Sequence, residues 1–306
     1  MANYTIGLDL GGTRIKAVAI NDHGEILHQS YQPTEDGNDQ IWKKSISISV
    51  DTVINTLGGD PLVGISAPGL PDMANQSIAF MPGRLEGLEN FNWTNHLNRN
   101  SYVINDGVAA LMAEAKFGAG KDASHAVLLT LGTGVGGAIL IDGKPYQGSF
   151  NKAGHIGHMV INDSGEPDVT GMPGSLEECI GNCTIEKRSG GRFTSTHALL
   201  EAYRKNDSHA AEIWLKSIRQ LALGVASISN ILSPEFIILG GGITEAGDDL
   251  FVPLEQFLSL YEWRPGGAKS IIKKAEFGDI IMFNYSVKDL ENNLIYEEGF
   301  IGDQSY

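Results

Sequence analysis

The sequence predicts an α/β fold of two related lobes, and three observations lead to it. The chain has 306 residues, which at roughly 100–200 residues per domain suggests about two domains. Short alternating apolar runs take turns with stretches of helical spacing, the pattern of a mixed α/β architecture. Both halves also open with one device, a strand, a glycine turn and a second strand. It lies at Leu8-Asp9-Leu10-Gly11-Gly12-Thr13 and again at Leu129-Thr130-Leu131-Gly132-Thr133-Gly134. Such an internal echo points to two lobes, 1–118 and 119–306, rather than to one large sheet.

Taken in order, Tyr4–Leu10 and Arg14–Ile20 alternate and are apolar-rich, so they read as strands joined by Gly11-Gly12-Thr13. Ile41–Leu57 reads as a helix stopped by Gly58-Gly59. Val63–Ser66 is a short strand running into the turn-rich Ala67-Pro68-Gly69-Leu70-Pro71-Asp72. Tyr102–Ile104 is another, after which Asn105 or Asp106 caps a helix carrying Val108, Leu111, Met112 and Ala115 at helical spacing. Gly118 and Gly120 end that helix and mark the boundary between the lobes. In the second half Ala126–Leu131 is a strand, Gly132–Gly137 a glycine turn and Ala138–Ile141 the return strand, with Asp142-Gly143 as a hairpin signal. A loop-rich stretch follows from Ser149 to Gly174. Ser208–Leu232 is a long helix, and Phe236–Leu239 a strand leading into Gly240-Gly241-Gly242.

Hydrophobic residues make up 42% and charged residues 19%, which excludes a wholly disordered chain. There are 22 basic and 37 acidic residues, a net charge of −15. Such a surface repels phosphate backbones and anionic lipid, so neither nucleic acid nor membrane is an expected partner. Met1–Gly7 has no basic and apolar leader pattern, and no window approaches 18 apolar residues, so a cytoplasmic protein is expected. Cys179 and Cys183, spaced one helical turn apart, read as plain thiols. Glycine is the informative excess: 38 residues, about 12% against a usual ~7%. They cluster, which argues for special turns.

Gly132-Thr133-Gly134-Val135-Gly136-Gly137 satisfies G-x-G-x-x-G as a string. A dinucleotide site needs a helix after it, whereas a strand and a hairpin signal follow here. No G-x-x-x-x-G-K-[ST] occurs, so a P-loop also drops out. What remains is glycine turns between paired strands, where backbone N–H groups can point at a phosphate with no Cβ in the way. Thr13 and Thr133 add hydroxyl donors. One such turn alone is equally a tight hairpin; two matched turns and the later Gly240–Gly242 favour a phosphate cradle.

Six segments carry a resemblance. Asp9-Leu10-Gly11-Gly12-Thr13-Arg14-Ile15-Lys16, Gly64-Ile65-Ser66-Ala67-Pro68-Gly69, Asn105-Asp106-Gly107-Val108-Ala109-Ala110, Leu131–Gly137, Gly154-His155-Ile156-Gly157-His158 and Leu239–Gly242 occur in the order seen in ROK-family sugar kinases. The resemblance covers roughly residues 4–278. It implies the actin-like, ribonuclease H-like fold, two α/β lobes with the active site in the cleft between them. It also implies transfer of the ATP γ-phosphoryl group to a hydroxyl of a hexose or N-acylhexosamine, with Mg²⁺ accompanying ATP; homodimers are common among such kinases. Asp106 then stands as the general base, with an N-cap as its plainer alternative. Gly69, Asn105, His155, His158 and Glu177 stand as sugar contacts. Asp9, Gly11, Gly12, Thr13 and Lys16 on the first turn, Gly132, Thr133, Gly134 and Gly136 on the second, and Gly241 and Gly242 beside adenosine stand as the ATP site.

The chain departs from that family pattern in three places. His155 occupies the position of a sugar-binding Glu, which puts glucose as substrate in doubt, because a site built to bond a given hydroxyl discriminates strongly. The Cys-x-Cys-Gly-x-x-Gly-Cys zinc clip aligns with Asp168–Ser175, where Asp168, Thr170 and Ser175 replace the cysteines. Zinc needs thiolate or imidazole ligands, so no structural zinc is expected, and the loop's job is expected to fall to packing. The stretch 279–306 carries six acids and one Lys, and Ile280–Val287 reads as a strand where the family has an alanine- and glycine-rich helix packing back on the first lobe. His155 and this segment motivate an alternative, a sugar-binding sensor without catalysis. The retained Asp106 favours the enzyme, since a binder has no need of a base. Family repressors carry an N-terminal helix-turn-helix; this sequence opens on the first strand, so DNA binding is not expected.

Overall fold

Tyr4–Leu10 (β1) and Arg14–Asn21 (β2) pair antiparallel in full register, from Tyr4 opposite Asn21 to Leu10 opposite Ile15. The structure is a computed structural model that describes residues 4–11, 14–21, 23, 25–35, 37, 40–81, 85–168 and 170–277. Contacts divide it into two compact units: the described parts of 1–113 with 149–151, and of 114–148 with 152–279. The division falls inside one helix. The strand-like Ile280–Val287 and the acidic stretch 279–306 lie outside the described residues.

In the first unit, Ile26–Pro33 (β3) extends the antiparallel pair, and a helix Ile41–Leu57 (α1) leads to Val63–Ala67 (β4). A small hairpin, Leu70–Pro71 (β5) with Ile78–Phe80 (β6), and a short helix Trp93–Leu97 (α2) precede Ser101–Asn105 (β7) and the helix Asp106–Phe117 (α3). The main sheet runs β3-β2-β1-β4-β7, with β1, β4 and β7 parallel. β4 is buried along its whole length, as a parallel strand covered on both faces must be, and its Val-Gly-Ile-Ser-Ala sequence has no polar alternation. α1 buries Trp42, Ile46, Ser49, Val50 and Val53, one stripe at helical spacing. These pack with Ile6, Leu8, Ile15, Ile65 and Trp93 in one core.

The second unit repeats the plan. Ala126–Leu131 (β8), Val135–Ile141 (β9) and Lys144–Pro145 (β10) are antiparallel neighbours, and Phe236–Gly240 (β11) and Ile271–Lys274 (β12) add on in parallel. The order is β10-β9-β8-β11-β12, strand for strand the arrangement of the first sheet. Between β10 and β11 lie the helices Leu176–Ile180 (α4), Ile185–Arg188 (α5), Thr196–Arg204 (α6) and Ser208–Leu232 (α7); Asp248–Tyr261 (α8) follows β11. Asp207 caps α7 by accepting the Ala210 N–H at 2.9 Å. The helix buries Ile213, Trp214, Ile218, Leu221, Ala222 and Val225 against Leu129, Ile237 and Leu239. No described helix is long and apolar enough to cross a membrane.

Two expectations change. The second glycine turn is shorter than Gly132–Gly137: β9 begins at Val135, and Gly136 and Gly137 lie within it opposite Thr130 and Leu129. They are glycine for close approach, since a Cβ at Gly137 would meet the Gly154 carbonyl oxygen at 2.8 Å. The two cysteines do not share a helix. Cys179 is buried on α4, whereas Cys183 is exposed on a 3₁₀ turn, Asn182–Thr184. Burial pushes the Cys179 thiol up to about 11.

Gly118 ends α3 for a reason its sequence does not show. The wholly buried Glu114 carboxylate accepts the Ala119 N–H at 2.8 Å with Oε2 and the Phe277 N–H at 2.7 Å with Oε1. A Cβ at Gly118 would stand 2.2 Å from Oε2. Replacing Glu114 by Ala strands one buried and one part-buried donor, so a loss of about 2–3 kcal/mol is expected in urea unfolding. A midpoint unchanged from the parent would contradict this account of the corner.

Candidate active site

Parallel strands place their useful loops at their carboxyl ends. In the first sheet the register sets Asp9 beside Ser66, and Ala67 beside Asn105, so Asp9, Gly69, Asn105 and Asp106 gather at one edge. Asp9 also stands opposite Lys16 on β2, an acid and a base paired across strands. Lys16 is buried, with its ammonium 5.7 Å from the centre of the Tyr31 ring. Gly11 donates to the Arg14 carbonyl at 3.1 Å, and the Thr34 hydroxyl donates to the Gly11 carbonyl at 2.8 Å. Thr34 is a member of this corner with no signal in the sequence. Gly12 and Thr13 lie outside the described residues.

Asn105 ties that edge together. Its Nδ2 donates to the Gly69 carbonyl at 3.0 Å, and its Oδ1 accepts the Gly107 N–H at 2.9 Å. One side chain therefore holds the loop after β4 and starts α3. Gly69 has φ +100°, and a Cβ there would lie 2.6 Å from the Phe80 carbonyl oxygen, so glycine is demanded twice over. Asp106 is the first residue of α3 and is exposed, and its Oδ1 also accepts the Gly107 N–H, at 2.8 Å. The Asp106 carboxylate is thus exposed on the first helical residue, one place past the cap position, which Asn105 holds. Asn151, likewise unforeseen, is buried and donates to the carbonyls of Pro71 and Asp72 at 3.1 and 3.0 Å, which fixes the base of the β5–β6 hairpin.

In the second unit, the turn Gly132–Gly134 is held by its carbonyls. Asn182 N–H donates to the Gly132 carbonyl at 3.0 Å and Cys183 N–H to that of Thr133 at 2.8 Å, while Gly132 N–H closes onto Gly134 at 3.0 Å. Glu177 Oε2 accepts the Val135 N–H at 2.9 Å. That carboxylate would lie 2.2 Å from a Cβ at Gly134. Among the described residues nothing accepts the N–H of Thr133 or of Gly134. Successive backbone N–H groups without a protein acceptor are the kind of donor that an anion can use. Glu177, expected as a sugar contact, bonds the backbone beside this turn; Gly136 lies in β9 with Thr130 Oγ1 2.5 Å from where its Cβ would be.

The third glycine run meets the same edge. Gly241 follows β11 with φ +85°, and a Cβ there would lie 2.4 Å from the Leu131 carbonyl oxygen. The Thr244 hydroxyl and N–H donate to the Gly241 carbonyl at 2.7 and 3.0 Å. A Cβ at Gly242 would meet nothing within 4 Å. The run therefore rests on the last residue of β8, directly before the second turn.

His155 and His158 reach this unit's edge on a turn seated against β9. Gly154 has φ +92°, and a Cβ at Gly157 would fall 1.9 Å from the Val135 carbonyl oxygen, so the chain passes too close for any side chain. His155 is half-buried; burial first, and His158 second, hold its pKa below the ordinary imidazole value.

The loop that follows is held by hydrogen bonds as well as by packing, since Met159 and Ile161 lie against the core of this unit. Ile161 N–H donates to Gly174 at 2.9 Å and Leu176 N–H to Met159 at 2.8 Å. Asp168 Oδ1 accepts the Thr170 hydroxyl at 2.6 Å and the N–H groups of Thr170 and Met172 at 2.8 and 3.1 Å. Ser175, at the last cysteine position, caps α4 by accepting the Glu178 N–H at 3.4 Å. Burial alone would raise the Asp168 pKa; the bonds from Thr170, His158 and Met172 together outweigh it and hold the carboxyl well below its usual range. The donor set does not fit zinc: thiolates are missing, and Asp168 spends Oδ1 on its own loop and Oδ2 on His158. Among the described residues no three of His, Cys, Asp or Glu come together to hold a metal ion.

Comparison with known proteins gives a family model, described as the ROK family, that matches residues 5–280. The chain is 30% identical over 276 residues to a glucokinase of Thermotoga maritima, covering 82% of this chain and 86% of that one. It is 30% identical over 253 residues to an N-acetylmannosamine kinase of Vibrio cholerae, covering 78% and 84%. Among solved structures, a ROK family glucokinase from Streptomyces griseus in complex with glucose and AMPPNP superimposes with a TM-score of 0.71 at 26% identity, covering 90% of this chain and 95% of that one.

Proposed function

The chain belongs to the ROK family, and from that premise we propose that it is an ATP-dependent sugar kinase, moving the γ-phosphoryl group to a hydroxyl of a hexose or N-acylhexosamine. The observation that carries this reading is the Gly132–Gly134 turn, with its Gly132 and Thr133 carbonyls tied back and the N–H groups of Thr133 and Gly134 meeting no acceptor among the described residues. Phosphoryl transfer asks little covalent chemistry of a protein; positioning and charge stabilisation dominate. Gly11, Gly12, Thr13 and Lys16 with Asp9 receive phosphate on the first unit, and Gly132, Thr133, Gly134 and Gly136 on the second. Gly241 and Gly242 border adenosine. Mg²⁺ bound to the nucleotide screens phosphate charge.

Asp106 takes the proton of the attacking hydroxyl, so the oxygen carries more electron density as it bonds to phosphorus. Asn105, Gly69, His155, His158 and Glu177 recognise the sugar. With Asn105 already bound to Gly69 and Gly107, its remaining donor and lone pair are fixed in direction before sugar arrives.

His155 replaces an acid with a neutral ring. Because its pKa lies below 6.5, the folded protein takes up that proton less readily than a free imidazole, so the ring keeps one donor and one acceptor at neutral pH. The acid fall in sugar affinity that the ring causes is therefore expected to lie at lower pH than the titration of a free imidazole. In His155→Gln the part of that acid fall owed to the ring should vanish; an identical profile in the variant would remove His155 from recognition.

The test of the reading is ADP release from Mg-ATP across glucose, mannose, fructose, allose, N-acetylglucosamine and N-acetylmannosamine. Sugar-dependent release on at least one supports the kinase. Silence on every sugar, with sugar binding measurable by calorimetry, would instead favour the sensor reading that His155 motivates.

A further inference from the structure

We infer that Asp168 is a positioning residue for His158, fixing by hydrogen bonds the ring orientation and tautomer with which His158 meets a sugar hydroxyl. The inference rests on the sugar-kinase reading for the hydroxyl, while the pairing of Asp168 with His158 stands apart from it.

The Asp168 carboxylate has no exposed surface, whereas the His158 ring is 36% exposed. A buried carboxylate must be satisfied on both oxygens. Oδ1 takes three donors, all from the two residues Thr170 and Met172 of its own loop. Oδ2 faces His158 Nδ1 at 3.2 Å. An ionised carboxylate only accepts, so Nδ1 carries the hydrogen. In the neutral ring Nε2 is then an acceptor on the outer side, suited to a sugar O–H.

The loop is built to bring Asp168 to that place. The bonds of Ile161 to Gly174 and of Leu176 to Met159 zip its two arms. Gly174, with φ +56° and no room for a Cβ 1.8 Å from the Asn162 carbonyl oxygen, makes the crossing. Asp168 N–H bonds Met172 at 2.8 Å to close the tip. Asp168 and Thr170 stand at two of the three positions where the family pattern has cysteine. Here those two residues bond each other, and His158 completes the set. The knot does with a carboxylate what a bound cation would otherwise have to do: it gives the loop a fixed centre.

Three readouts test it. Long-range ¹H–¹⁵N spectra of the whole protein should show His158 as the Nδ1–H tautomer. In Asp168→Asn the new amide can donate to Nδ1, so the ring should shift toward the Nε2–H form, and affinity for glucose or N-acetylmannosamine should fall about tenfold by calorimetry, with AMPPNP affinity unchanged. Metal analysis of the purified protein should find no stoichiometric zinc. An Nε2–H tautomer in the parent, a full equivalent of zinc, or an unaltered tautomer in the variant would each overturn the inference. If Asp168→Asn fails to fold, the parent spectrum and the metal analysis still decide. None of these readouts depends on turnover, so a protein that binds sugar without phosphorylating it would overturn the kinase and leave this inference standing.

Discussion

Replacing Asp106 by Asn is expected to lower kcat by about 10²–10⁴-fold, the usual worth of a positioned general base, while leaving sugar and nucleotide affinity within a few-fold. The choice of Asn matters. Asp106 Oδ1 accepts the Gly107 N–H at 2.8 Å at the start of α3, and Asn keeps an oxygen there. Ala would lose that bond and confound a missing base with a loosened helix start. Steady-state kinetics with a saturating sugar read the effect directly. A variant retaining more than a tenth of the parent kcat would remove Asp106 from the proton transfer.

Replacing Gly241 by Ala should have the second largest effect, and Gly242 supplies its control. At Gly241 the backbone is left-handed, with φ +85°, and an added Cβ meets the oxygen, carbon and nitrogen of Leu131 at 2.4, 2.8 and 2.9 Å. Those are backbone atoms of β8 at the base of the second turn, so they cannot step aside as a side chain would. Strain and displacement together are expected to cost about 2–3 kcal/mol of stability and to weaken AMPPNP binding. At Gly242 a Cβ meets no protein atom within 4 Å. Gly242→Ala should therefore unfold at the parent's urea concentration yet bind AMPPNP more weakly, because the space it fills is the space assigned to adenosine. Unchanged nucleotide affinity in Gly242→Ala would move the adenosine site elsewhere.

Much of the fold was legible because it rests on local signals. The strand–glycine–strand device recurs at Leu8–Thr13 and Leu129–Gly134, and the two sheets share one strand order around it. Helices α1 and α7 announced themselves by apolar spacing, and β4 by a short apolar start, Val63-Gly64-Ile65. β3 was missed because it is an edge strand whose Ile26 and Leu27 are exposed, so its alternation carries little apolar contrast. α8 was legible and passed over: Leu250, Leu254 and Leu258 recur every four residues and are its buried set.

The site was read in its residues more than in its bonds. Glycine motifs mark where a Cβ is forbidden, and Gly69, Gly157 and Gly241 all prove to lie against backbone. What no motif shows is which distant group does the holding. Thr34 on Gly11, Asn182 and Cys183 on the second turn, and Asn105 on Gly69 act over long sequence separations on backbone carbonyls, which have no residue identity to read. The loop from Met159 to Ser175 is the clearest instance. Loss of three cysteines could be seen in the sequence; that Asp168 and Thr170 would bond each other and hold His158 required the fold.

Transfer of a phosphoryl group to the sugar is read in its product. Incubated with Mg-ATP and the best sugar of the panel, the protein should yield a sugar heavier by one phosphoryl group, in a one-to-one ratio with ADP, as read by mass spectrometry. A sugar that binds by calorimetry but returns unphosphorylated, with ATP intact or merely hydrolysed, would contradict the account.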